Sequence, residues 1–180
     1  LTCVVMNTKL GDRGDFKCSN ATLNTLQEMT RRSTLGNFQH FPNDCPHREK
    51  NGWTGDVAAS CFHMMMLYDC KTSFEEWLEN IRKAQSDIGA LPGIVPTTGW
   101  GFEWGNGPAW DSVLFYLPYY TWIQRGDTDI IKENADAMMR YLHYISGKRD
   151  NMGLIHIGLG DWLPINYKTP YTPLEVTDTL

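Results

Sequence analysis

Along most of the chain the apolar positions recur every three or four residues, the period of a helix with one face turned to a core. Ser19 or Asn20 can cap a first helix whose Leu23, Leu26 and Met29 or Thr30 share a face, with a stop near Gly36. Helical character resumes after Gly55 through Ala58, Cys61, Phe62, Met65 and Met66. Thr72 and Ser73 followed by Glu75 and Glu76 make a capping-box pattern. It introduces Phe74, Trp77, Leu78 and Ile81 at helical spacing, and Gly89 closes that segment. Pro108 suits the first position of a helix running to Gly126, with Pro118 as a kink inside it. Asp127 or Thr128 caps the next, which carries Ile130, Ile131, Ala135, Met138, Tyr141, Leu142 and Ile145 and ends at Gly147. Thr2–Met6 reads as a short strand and Gly11–Gly14 as a turn, while Glu175–Leu180 reads as the first turn of a further helix. The sum is five or six helices with no βαβ alternation, so the fold class is all-α with antiparallel helix pairs.

The links between these helices are unequal. Asp69–Ser73 and Arg125–Thr128 are short; Asn37–Asn51, Ala90–Gly107 and the Gly-rich stretch holding Gly158–Trp162 are long. Long loops inside a compact domain usually carry function. Here they hold most of the acids that sit beside tryptophans, which predicts one chemically active end.

Composition narrows the chemistry. The formal net charge of the 180 residues is -5, and the closest basic features are the isolated pairs Arg31–Arg32 and Lys148–Arg149, which argues against a nucleic-acid partner. No run reaches the ~18 apolar residues of a membrane span. Five cysteines, an odd number, read as free thiols and not as a disulfide framework. Much of the load of seven Trp, eight Tyr and seven Phe is core packing, yet indole faces beside loop Gly and Asp also suit the C–H faces of sugars.

The densest segment runs from Asp44 to Asp56, Asp-Cys-Pro-His-Arg-Glu-Lys-Asn-Gly-Trp-Thr-Gly-Asp, just before a helix. Its three carboxylates can simply cap turns and pair with Arg48 or Lys50. They can also act together: Glu49 as a general acid kept protonated by a neighbouring carboxylate, with Asp44 and Asp56 binding sugar hydroxyls. Cys45-Pro46-His47 and Cys61-Phe62-His63 raise zinc as another reading. Their spacing is short for a zinc site, and His63 beside Met64–Met66 fits a core position better. Two further loops place indole beside acid, Gly99–Asp111 with Trp110 and Asp111, and Gly160-Asp161-Trp162. Asn20-Ala21-Thr22 matches a glycosylation acceptor, which matters only in a eukaryotic secretory setting, and helix capping is the better reading.

Asp44-Cys45-Pro46-His47-Arg48-Glu49, followed by Gly52-Trp53-Thr54-Gly55-Asp56, resembles the signature of the bacterial α-L-rhamnosidases of glycoside hydrolase family seventy-eight. Phe16–Ser19, Pro108-Ala109-Trp110, Gly126-Asp127 and Gly160–Leu163 extend the likeness in order along the chain. The resemblance implies about half of an (α/α)6 barrel over residues 16–180, with residues 1–15 as the tail of a preceding β-domain or linker. It implies inverting hydrolysis of terminal α-L-rhamnose from a glycoside or polysaccharide. Glu49 matches the proton donor; Asp44, Asp56, Trp53, Trp110 and Trp162 match the sugar subsite, and Arg48 matches an arginine that orients the acids. Asp111 stands directly after Trp110, where many members have Gly then Asp. The acid loop is a residue shorter than in some members, and His47 replaces a common Gln. No cofactor is implied, and no metal-ligand run is present. The family's general base is expected beyond residue 180, with Glu175 a poor substitute, so the chain alone is expected to be inactive and to self-associate through uncovered helix faces. A non-catalytic sugar-binding module and another α/α-barrel hydrolase are the alternatives.

Overall fold

The computed structural model describes residues 1–97, 99, 101, 102 and 107–159. Short ladders punctuate a helical body: β1 (Gly11–Asp12), α1 (Ala21–Gly36), β2 (Phe38–Gln39), β3 (Phe41–Pro42), α2 (Thr54–Leu67), β4 (Tyr68–Asp69), α3 (Lys71–Ala84), α4 (Gly107–Asp111), α5 (Val113–Arg125) and α6 (Asp129–Ser146). The core belongs to α2, α3, α5 and α6. α5 lies between α2 on one side and α3 and α6 on the other. Phe74, Trp77, Leu78 and Ile81 of α3 are at most 1% exposed, as their spacing predicts. On α6, Ile130, Asn134, Ala137, Tyr141 and Ile145 form one buried stripe. Asn134 tolerates this because its amide donates to Ile130 O and its Oδ1 accepts from Arg82.

Several local expectations change. Thr2–Met6 joins no ladder: Val4, Val5 and Met6 are exposed, and contact with the body begins where the Thr8 N–H donates to Phe38 O. No strand among the described residues lies beside that segment to pair with it. The predicted turn at Gly11 is instead an edge, β1, antiparallel to β4. Asn20 does cap α1, its Oδ1 accepting from the Thr22 and Leu23 amides, but Leu23, Leu26 and Met29 stay exposed and only Thr34 of that helix is buried. α3 stops at Ala84, ahead of Gly89. The helix predicted from Pro108 to Gly126 is broken at Ser112, whose carbonyl accepts from both Phe115 and Tyr116, a tightened turn. α5 runs through the buried Pro118. Glu175–Leu180 lies outside the described residues.

α2 is joined to α3 through Tyr68–Cys70 and α5 to α6 through Gly126–Thr128. Ion pairs gather at that end: Lys71 with Glu75 and Asp127, and Arg125 with Asp69. Along the flanks of these helices Phe62 and Met66 of α2 and Tyr119, Trp122 and Ile123 of α5 are exposed, the kind of uncovered helix face for which self-association is expected. No helix among the described residues is long and apolar enough to cross a membrane.

Candidate active site

The N-terminal ends of α2 and α4–α5 frame a cleft of about 940 Å³. Asp44, Glu49, Trp53, Gly55 and Asp56 line one part of it, and Pro108, Ala109, Trp110, Ser112, Tyr116 and Leu159 another. The sequence thus brings five predicted site residues together: Asp44, Glu49, Trp53, Asp56 and Trp110.

Backbone hydrogen bonds explain the convergence. Gly52–Thr54 is clamped to the segment 93–95: the Val95 N–H donates to Gly52 O (2.9 Å), the Thr54 N–H to Gly93 O (2.8 Å), and Trp53 bridges Ile94. A side chain at Gly52 would run into Val95 O, so the clamp needs glycine. The acid loop closes on itself, with the Asp44 N–H donating to Asn51 O (3.0 Å) and the Asn51 N–H to Asp44 Oδ1 (2.8 Å). The buried Asn43 ties the base of the loop, its amide donating to Lys50 O (3.1 Å). Glu49 is held twice, its N–H donating to Cys45 Sγ (3.3 Å) and its Oε2 accepting from the Trp53 indole N–H (2.7 Å). The Trp110 ring lies against Gly55, where any side chain would overlap it, and its Nε1 is buried without a partner. Gly107 similarly admits Ile157 and Gly158 against the start of α4, which delivers Leu159 to the cleft.

Electrostatics within the cleft single out Asp56. Partial burial first, then the charges of Asp44 and Glu49, push its carboxyl above the usual range, against a backbone hydrogen bond that lowers it. Asp56, in the first turn of α2, is nonetheless exposed as a residue.

Two predicted residues are placed elsewhere. Asp111 is 2% exposed and does not line the cleft. Successive helical residues point about 100° apart, so Trp110 faces the cleft while Asp111 faces α6. Burial pushes its carboxyl up to about 7, opposed by the nearby Tyr141 hydroxyl; neither Asp111 Oδ1 nor that hydroxyl completes a hydrogen bond of normal geometry. Arg48 is exposed and makes no ion pair among the described residues. Trp162 lies outside the described residues, as do Trp100, Trp104 and Gly160–Asp161. Ser112, Tyr116 and Leu159 were not anticipated; Ser112 stands at the junction of α4 and α5 and Tyr116 one turn into α5.

The zinc reading finds no cluster. Among the described residues no three His, Cys, Asp or Glu side chains gather to hold a metal ion. His63 lies beside Thr34, its Nε2 3.4 Å from Oγ1, and burial lowers its pKa. Burial pushes the Cys61 thiol up to about 12, which keeps it neutral.

Carboxyls and indoles thus gather where the long loops of a helical body meet. Residues 11–179 match the model of the bacterial alpha-L-rhamnosidase 6 hairpin glycosidase domain, and the chain belongs to that family. An alpha-L-rhamnosidase of Formosa agariphila is 27% identical over 178 residues, covering 91% of this chain and 18% of that protein. One from Alteromonas sp. is 30% identical over 150 residues, covering 83% of this chain and 16% of that protein. The structure of the Streptomyces avermitilis alpha-L-rhamnosidase complexed with L-rhamnose superimposes with a TM-score of 0.83 at 26% identity, over 92% of this chain and 16% of that one. The chain therefore spans under a fifth of the length of these relatives, and its helices are part of an (α/α)6 barrel.

Proposed function

We propose that this domain hydrolyses terminal non-reducing α-L-rhamnose from glycosides or polysaccharides by an inverting route, with Glu49 as the proton donor. One observation carries the reading: Asp44, Glu49 and Asp56 converge with Trp53 and Trp110 on one cleft. Glu49, on an exposed loop at the cleft edge, is placed to protonate the departing glycosidic oxygen as the bond to the anomeric carbon breaks. Asp44 and Asp56 accept hydrogen bonds from sugar hydroxyls, which an ionised carboxylate makes strong. Trp53 and Trp110 offer rings to the sugar's C–H face.

Inversion needs water on the opposite face of the sugar and a second carboxyl about 6.5–9.5 Å from the first to take its proton. We assign that base outside these 180 residues, so this chain supplies the acid and the sugar subsite. In the same reading residues 1–15 lead in from a preceding domain, and 16–180 are the N-terminal part of the barrel. A tryptophan-fluorescence titration tests the subsite. L-Rhamnose should give a saturable response that D-glucose does not, lost in Trp110→Ala. A chain shown to be helical by circular dichroism that gives no such response counts against the reading.

A further inference from the structure

We propose that Trp53 is a positioning residue for Glu49, its indole N–H fixing one carboxyl oxygen so that the other is left to carry the proton. The inference rests on reading Glu49 as the acid and assigns Trp53 a task beyond walling the sugar. Glu49 sits on the exposed stretch from Pro46 to Lys50, where no helix or ladder holds its side chain. Trp53, four residues on, is anchored on both sides. Gly52 O and the Thr54 N–H are bonded to the segment 93–95, Thr54 is fully buried, and Thr54 Oγ1 also donates to Gly93 O (3.1 Å). That segment is fixed in turn by the core, because Trp77, 1% exposed, donates its indole N–H to Val95 O (2.8 Å). A continuous set of constraints thus runs from α3 through the clamp to Trp53, and ends on Glu49 Oε2 at 2.7 Å.

The chemistry of the donor matters. An indole N–H donates only, so it can hold a carboxyl in either ionisation state and cannot take its proton. With Oε2 engaged, the proton of the neutral acid belongs on Oε1. From there it passes to the leaving-group oxygen as that oxygen receives the electron pair of the breaking C–O bond. A rigid ring with two side-chain torsions loses little entropy in this role.

NMR on the full chain tests this without any need for turnover. The Trp53 indole N–H resonance is assigned by its loss in Trp53→Phe. In the wild type it should exchange with solvent about tenfold or more slowly than in Glu49→Ala, the scale of one hydrogen bond to a charged acceptor. In Trp53→Phe the Glu49 γ-methylene should become as mobile as that of Glu133, which is exposed on α6. An indole proton indifferent to Glu49→Ala overturns the proposal, as does a Glu49 side chain equally mobile with and without the indole. If Trp53→Phe does not fold, the indole resonance is assigned through bonds in the wild type and Glu49→Ala, a change at an exposed residue, decides alone. Failure of L-rhamnose to bind while both NMR results stand counts against the sugar reading and leaves the strut in place.

Discussion

Asp111 makes the stability of this domain depend on pH in a direction unusual for a carboxylate. Its folded-state pKa, about 7, lies above the 3.8 of an unburied aspartate, so between those values the folded chain holds a proton that the unfolded chain has released. Stability contributed by this group is therefore complete below pH 4, falls by about 1.4 kcal/mol per pH unit as pH rises, and levels off above pH 7. The whole span corresponds to about 4 kcal/mol, a large share of a typical domain's stability. Asp111→Asn keeps the shape and removes the titration. Urea unfolding followed by circular dichroism at pH 5, 6, 7 and 8 should show the wild type losing about 1.4 kcal/mol per unit relative to the variant between pH 5 and 7, then running parallel. Taking the difference cancels Asp56, whose raised pKa acts in the same direction, and His63, whose lowered pKa acts in the opposite one. Parallel curves across the whole range would refute the placement of Asp111 in a dry site.

Gly55→Ala should push a methyl group into the Trp110 ring, cost about 1–3 kcal/mol, shift the tryptophan emission and weaken the response to L-rhamnose; a variant with unchanged emission contradicts the close approach. Trp77→Phe leaves Val95 O without its donor and should cost about 1–3 kcal/mol in urea unfolding. It should also weaken the L-rhamnose response although residue 77 does not line the cleft, and an unaltered titration would show that the clamp does not transmit to the site.

The helices were largely legible because burial and period coincide. Phe74, Trp77, Leu78 and Ile81 repeat at helical spacing and are all in the core. Leu23, Leu26 and Met29 show where that logic ends. Period identifies a face and says nothing of what covers it, and here nothing described does. The acid loop was readable as a site because three carboxylates fall within thirteen residues just before a helix; the structure adds why Gly52 and Gly55 stand among them, where backbone and ring come close. Asp111 was misplaced because adjacency in sequence to Trp110 was taken as adjacency in space, which helical rotation breaks. The Trp53–Glu49 bond could not be read, since residues four apart in a loop meet only if the loop's closure brings them together.

The inequality of the connections has an evolutionary consequence. At one end Tyr68–Cys70 and Gly126–Thr128 hold neighbouring helices in register with no slack, so an inserted residue there would shift packing throughout the core. At the other end the loops return to the body only at fixed points such as Gly52–Thr54 on residues 93–95, and lengthening a loop between such points adds little closure entropy. The two ends can therefore diverge at different rates. Substitution and insertion around the cleft can change what it accepts without disturbing the tightly linked end, and with it the angle at which one hairpin meets the next.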